Sequence, residues 1–204
     1  NTAVGAGALR GGTTGGSSAA NNVAVGRLAM YQITTGDDNV AVGYNAGSTI
    51  DTGSDNVVIG KSADVSAAGA VNQIVIGDTS VGNGDNTITL GNGSITGLHC
   101  QVSTISALSD KRDKTNIQDS NYGLNIIDSL NPVIFEWNQR DGNRKGLKDL
   151  GFIAQDLQKV DDEFLQLVDS KDPEKLQASY GRLIPVLVKA IQELKEEIEQ
   201  LKKS

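Results

Sequence analysis

The side chains of this chain that are able to do covalent chemistry concentrate in one short segment, Ser109-Asp110-Lys111-Arg112-Asp113-Lys114. A serine hydroxyl is a poor nucleophile until a neighbouring base removes its proton, and a lysine amine is an accepted base for it if the amine is neutral. A free lysine titrates at about 10.4, so half-neutrality at about pH 7 takes roughly 4 kcal/mol of environmental bias. Burial at a subunit interface, or the proximity of Lys111 and Arg112, would supply that bias. Asp110 and Asp113 oppose it unless they point elsewhere or pair with Arg112. Taken alone, the segment reads as a charged loop.

Other chemistries have less behind them. The single His99 and single Cys100 have no neighbours at metal-ligand spacing and read as ordinary structural residues, and one cysteine excludes an intramolecular disulfide framework. There is no Walker phosphate loop, no Gly-x-Gly-x-x-Gly before a helix and no paired-carboxylate or histidine constellation. No metal or cofactor is expected, and an enzyme acting on an external substrate has little support.

Composition divides the chain into unlike halves. Of 24 glycines, 19 lie in residues 1–108, whereas Trp137, all three Phe and two of the four Tyr lie beyond them. The first part has 3 basic and 7 acidic side chains and the second 15 and 18, giving the net charge of −7. Phosphate neutralisation needs a basic surface, so general nucleic-acid binding is not expected. No run of about 18 apolar residues exists to span a membrane. With no initiator Met and no basic-then-apolar leader, Asn1 reads as the cut end of a longer protein.

A phrase recurs six times in the glycine-rich half: Asn1-Thr-Ala-Val-Gly5, Asn22-Val-Ala-Val-Gly26, Asn39-Val-Ala-Val-Gly43, Asn56-Val-Val-Ile-Gly60, Gln73-Ile-Val-Ile-Gly77 and Thr87-Ile-Thr-Leu-Gly91. A small residue follows three positions after each glycine: Ala8, Ala29, Ala46, Ala63, Ser80 and Ser94. Two apolar residues separated by one small or β-branched residue predict a four-residue strand with one inward face. Glycine then permits the turn. One such strand cannot bury its face alone; stacked copies can, which is the logic of a β-solenoid. Residues 11–20 fit a flexible Gly/Ser-rich linker instead. The phrases resemble the head repeats of trimeric autotransporter adhesins over about residues 1–95, and that resemblance implies a left-handed β-roll built from three chains. A lone roll with only Val, Ile, Ala and Thr inside has a thin core, and a threefold partner would supply the missing burial. Residues 96–108 read as a connector.

The chemistry-bearing segment lies at the change of composition. Ser109-Asp-x-Arg-x-Lys114 is similar to the signature that opens the intramolecular chaperone domains of the S74 peptidase family, found at the ends of phage tail spikes, tail fibres and neck appendages. Three further matches follow in order: Asn131-Pro-Val-Ile-Phe-Glu-Trp137, Gly151-Phe-Ile-Ala-Gln-Asp-Leu157, and the run from Tyr180-Gly-Arg-Leu-Ile-Pro to Leu194. The resemblance implies that Ser109 is the nucleophile, Lys114 the general base and Leu108–Ser109 the scissile bond, with Asp110 and Arg112 as supporting members of the motif. It also implies a homotrimer, carried on a virion, whose chaperone part is released after cleavage. A bond cut once per chain needs only a slow reaction: a rate on the order of 10⁻³ per second corresponds to a barrier of about 21 kcal/mol. An oxyanion hole is still required, and nothing in the sequence identifies its donors.

The elements that must position the segment are predicted as follows. Residues 124–130 read as a short amphipathic helix, residues 132–137 as a strand with Val133, Phe135 and Trp137 on one face, and residues 150–154 as its returning partner. Between them lies a polar turn region, 138–146. Arg140, Arg144, Lys145 and Lys148 read as a solvated loop, with contact to a partner's acidic stalk as the other reading. Residues 154–168 have helical spacing through Leu157, Val160, Phe164 and Leu167; residues 169–175 form a polar loop. Finally, Ile184, Leu187, Ile191, Leu194, Ile198 and Leu201 alternate steps of three and four, predicting a coiled coil over 183–203, with Glu193 among the solvated residues outside the seam. Ile and Leu in these positions locally favour two strands; the β-roll and family resemblance imply three, and three is the reading kept.

The fold expected is thus a mainly β, trimeric β-roll or β-solenoid over 1–95, a connector, and a small α+β domain over 109–204 ending in a coiled coil. A compact module that trimerises first would fix the register of a slow-folding three-chain fibre, and its removal afterwards would leave the fibre protected by a high unfolding barrier. The competing reading is a non-cleaving adhesin or fibre tip that retains its C-terminal domain. Contact with a host receptor is expected from the roll surface or from chain preceding Asn1.

Overall fold

The computed structural model describes residues 1–11, 18–101, 105–140, 142 and 144–203, which form two compact units, Asn1–Gly97 and Leu98–Ser204. The linker reading of residues 11–20 lies largely outside the described residues. The polar turn region 138–146 and the connector are each described only in part.

The first unit is a parallel β-solenoid. Its six strands are β1 (Thr2–Val4), β2 (Val23–Val25), β3 (Val40–Val42), β4 (Val57–Ile59), β5 (Ile74–Ile76) and β6 (Ile88–Leu90), hydrogen-bonded in chain order into one sheet. Register follows the repeat: Val23 pairs with Val40, Val40 with Val57, Val57 with Ile74 and Ile74 with Ile88. The strands are three residues long rather than four. Their inward side chain is the middle one: Ala24, Ala41, Val58 and Val75 are fully buried, while the flanking Val42, Ile59 and Ile76 are about two-fifths exposed. Ala29, Ala46, Ala63 and Ser80, three positions after each glycine, complete the interior with Met30, Ile33 and Ile50.

Close stacking explains two of the repeated residue types. Gly43 has φ +138°, and a Cβ there would lie 2.5 Å from the carbonyl oxygen of Gly60 in the next turn. Glycine is therefore required for approach as well as for conformation. The leading asparagine is an internal ladder. Asn22, Asn39 and Asn56 are fully buried. The Oδ1 of Asn39 accepts the backbone N–H of Asn56 at 3.0 Å and its Nδ2 at 2.9 Å, while Asn39 Nδ2 donates to Gly53 O at 2.8 Å. Each amide thus satisfies the polar groups of the adjoining turns, which is what permits it to be buried.

The second unit contains α1 (Leu124–Ile127), the antiparallel hairpin β7 (Val133–Glu136) and β8 (Lys148–Gly151), α2 (Ala154–Leu157), the two-residue pair β9 (Val168–Asp169) and β10 (Gln177–Ala178), and α3 (Leu183–Leu201). Its core is Leu157, Leu165, Leu167, Leu183 and Val186, with Tyr122, Ile126, Phe152 and Val160 packed against it. On the hairpin, Phe135 and Trp137 meet edge to face with centroids 5.2 Å apart.

Three expectations need correction here. The returning strand spans Lys148–Gly151 rather than 150–154. The helix expected over 154–168 ends after Leu157. Asp161 and Asp162 keep the following residues from continuing it: Asp161 accepts the backbone N–H groups of Leu167 and Val168 at 2.7 and 2.9 Å, and Asp162 those of Phe164 and Leu165 at 2.9 and 2.8 Å. Aspartates that bond nearby backbone in this way compete with helix. Glu193 is not a solvated residue of α3, because its Oε2 accepts the Leu124 N–H at 2.8 Å and so joins α3 to the start of α1.

On α3, Leu183 and Val186 are buried in the unit's own core and Ala190 is buried as well, whereas every residue of the 184–201 seam is exposed, from 45% at Leu187 and Leu194 to 75% at Leu201. The helix therefore has two apolar faces, of which this chain covers one. No helix among the described residues is long and apolar enough to cross a membrane.

Candidate active site

The candidate site is a tight turn. Asp110, in extended conformation, caps a 3₁₀ turn over Lys111–Asp113 by accepting the Arg112 N–H at 2.8 Å, and Lys114 follows in extended conformation with its own N–H bonded to Lys111 O at 3.2 Å. Aspartate favours such a position because its short carboxylate reaches the backbone two residues on. The turn reverses the chain just enough to return Lys114 onto Ser109, and Lys114 Nζ lies 2.6 Å from Ser109 Oγ. At that distance the amine donates when protonated and accepts the hydroxyl proton when neutral, which is the contact a serine–lysine pair needs.

Asp110 does not compete for the lysine. Arg112 Nε reaches Asp110 Oδ1 and Oδ2 at 3.1 and 3.2 Å, and its terminal nitrogen reaches Oδ2 at 2.6 Å. The guanidinium, then the Arg112 backbone N–H, hold the Asp110 carboxyl below the usual carboxylate range, and the carboxylate raises Arg112 in turn. Ser109, Lys111, Arg112, Asp113 and Lys114 are all exposed in the single chain, as is Leu108, 83% accessible beside the Leu108–Ser109 peptide.

Three of the four basic residues in and beside the hairpin, Arg140, Arg144 and Lys148, find partners within their own unit. Arg140 pairs with Glu174 at 2.9 Å, Lys148 approaches Glu136 at 3.9 Å, and Arg144 pairs with Asp149 at 3.5 Å while stacking 4.3 Å from the Trp137 ring centroid. His99 and Cys100 are exposed, and the described residues contain no group of His, Cys, Asp or Glu able to hold a metal ion. Sequence reasoning assigned no role to the side chains of Asn22, Asn39, Asn56 or Asp161, and took Glu193 for a solvated residue. The recurrence of Asn at the head of the first four repeats was the available signal for the ladder; nothing local marked Glu193, whose partner lies 69 residues away.

Residues 109–166 match the family model for the chaperone of endosialidase, Peptidase S74. The match begins on Ser109 itself and takes in the turn, Lys114, α1, the hairpin and α2. No curated protein and no solved structure matches the chain. The stretch that matches this model thus follows the β-solenoid in the chain, and the exposed seam of α3 lies beyond the matched residues.

Proposed function

We propose that this chain is the C-terminal part of a phage fibre or appendage in which residues 109–204 assemble three copies, set the phase of the β-solenoid, and are then released by cleavage between Leu108 and Ser109. The contact that carries this reading is Lys114 Nζ to Ser109 Oγ at 2.6 Å, at the first position of the S74 match.

In the proposed reaction Lys114 Nζ takes the Ser109 hydroxyl proton as Oγ attacks the Leu108 carbonyl carbon, of the same chain or of a neighbouring copy. The carbon–nitrogen bond breaks as the Ser109 nitrogen gains a proton, leaving an ester to Oγ. Water then hydrolyses the ester, giving a carboxylate at Leu108 and restoring the hydroxyl. Holding nucleophile and peptide in one assembly removes much of the entropic cost of their encounter.

Self-association is supported by two apolar surfaces that one chain leaves open: the α3 seam and the outward valines and isoleucines of the solenoid sheet. Uncovered apolar surface of this extent marks an interface. The competing reading, a structural fibre tip that keeps its C-terminal domain, draws on the same surfaces but gives Ser109 and Lys114 no task.

Denaturing gel electrophoresis separates the two. Cleavage yields bands of 108 and 204 − 108 = 96 residues, and Ser109→Ala or Lys114→Ala leaves one band of 204. A single full-length band from the unsubstituted chain after assembly supports the structural tip instead.

A further inference from the structure

The turn that brings Lys114 to Ser109 is organised around one carboxylate with two duties. Asp110 Oδ1 caps the turn through the Arg112 N–H at 2.8 Å, and both Asp110 oxygens are held by the Arg112 side chain at 2.6 to 3.2 Å. The Asp113 N–H to Asp110 O bond at 3.2 Å and the Lys114 N–H to Lys111 O bond at 3.2 Å complete the reversal. A further unpaired carboxylate on this short turn would compete with Ser109 Oγ for the Lys114 amine and favour its ammonium form, which cannot take a proton from Ser109. A guanidinium fork engages both carboxylate oxygens through parallel N–H bonds held in one plane, a geometry an ammonium lacks.

We infer that Asp110 and Arg112 are a positioning pair for the Ser109–Lys114 reaction: Asp110 folds the turn, and Arg112 keeps the Asp110 carboxylate from pairing with Lys114. This rests on the proposed dyad and adds to it. Neither residue of the pair touches the reacting atoms. The other charged groups on the turn are Lys111 and Asp113, and among the described residues no ion pair reaches the turn from another element.

The pair makes two opposite demands on pH, which a merely structural role would not. Arg112→Gln frees the Asp110 carboxylate, so the pH at which cleavage is half-maximal rises, by a few tenths of a unit for so exposed a site. Asp110→Asn keeps an oxygen for the Arg112 N–H but leaves the guanidinium unneutralised, so the half-maximal pH falls by a similar amount. The double variant returns toward the unsubstituted value, and Arg112→Lys, which keeps a cation, shifts it less than Arg112→Gln.

The experiment dilutes uncleaved 204-residue chain from denaturant into buffers of stepped pH. Cleavage is read on gels from the assembled fraction isolated by sedimentation, so that a variant that assembles poorly is still scored on the molecules that do assemble. Opposite shifts of the two single variants support the inference. An unmoved half-maximal pH in both, or shifts of both in one direction, overturns it. Ser109→Ala and Lys114→Ala run alongside: if they still cleave, the dyad itself fails; if they do not cleave and the pair variants show no shift, only the positioning role fails.

Discussion

Asn22 Oδ1 accepts two hydrogen bonds from Asn39, one turn further along the solenoid: the backbone N–H at 2.8 Å and the side-chain Nδ2 at 3.0 Å. Asn39 repeats this toward Asn56, so the buried amides form a continuous polar column beside an interior of small aliphatic side chains. Register in a parallel stack of three-residue strands has little side-chain volume to define it. The amide column defines it instead, since a slip would strand buried donors and acceptors.

Replacing Asn39 with Ala should therefore cost far more than its size implies. The substitution leaves the Asn56 N–H and Gly53 O without their partners and takes one of the two bonds of Asn56 Nδ2, which keeps Ala70 O at 2.7 Å; each abandoned buried group is worth about 1–3 kcal/mol. A loss of about 4 kcal/mol is expected in the urea-unfolding free energy of an uncleaved Ser109→Ala background. A loss below about 1 kcal/mol would mean that water takes over the ladder.

Gly43→Ala and Gly146→Ala form a matched pair. Both glycines have positive φ, +138° and +81°, but a Cβ at Gly43 meets the Gly60 carbonyl at 2.5 Å whereas nothing lies within 4 Å of one at Gly146. Gly146→Ala should cost about 1 kcal/mol, from conformation alone. Gly43→Ala should cost several times that, because backbone must move, and thermal melting of the two variants checks the ranking.

How far these features could be read from the chain depended on whether they were periodic. The six repeated phrases placed every solenoid strand, because one rule serves all turns. The inward face was less legible: with Val-Ala-Val, alternation alone favours the larger residues, and only the narrow interior of the stack selects Ala24 and Ala41. The helix expected over 154–168 failed where Asp161 and Asp162 bonded to the backbone, a competition that apolar spacing does not report. Leu187 and Ile191 were legible as a seam, yet that α3 also has a separate buried face through Val186 and Ala190 is a tertiary fact. For the candidate site, Ser109 and Lys114 alone read as part of a charged loop; the resemblance carried by Ser109-Asp-x-Arg-x-Lys114 and its three downstream matches supplied the reading, while the geometry of the Asp110–Arg112 fork emerged only in the folded turn.

The two faces of α3 predict different failures. Leu187→Asp with Ile191→Asp alters side chains 45% and 65% exposed, so the single-chain fold should persist while sedimentation loses the associated species and cleavage slows with it. Val186→Ala opens the core, where Val186 is 3% exposed, and should lower stability by about 2 kcal/mol with association impaired only as far as folding is.

Tyr122 and Asp162 give the second unit a pH window. The Tyr122 hydroxyl donates to Asp162 Oδ2 at 2.6 Å. This bond, with help from the Leu165 and Phe164 N–H groups, holds Asp162 below its ordinary value, and the same carboxylate raises Tyr122 above its own. A depressed carboxyl stabilises the fold above the unfolded carboxylate range, and that contribution is lost as pH falls through the depressed value. A raised tyrosine stabilises below the unfolded tyrosine value of about 10, and that contribution is lost as pH rises through the raised one. Tyr122→Phe should weaken the dependence on both limbs, and stability measured across pH should show it. An unchanged alkaline limb would contradict the assignment.

The most direct test of the central claim, that Ser109 and Lys114 react as three copies assemble, is cleavage measured against association. Uncleaved chain is diluted from denaturant over a range of concentrations; each sample is split between sedimentation and a denaturing gel. We expect the 108- and 96-residue bands to appear in step with the trimer, and neither to appear for Ser109→Ala or Lys114→Ala. Cleavage that proceeds equally in chains sedimenting as monomers, or that survives either substitution, would contradict it.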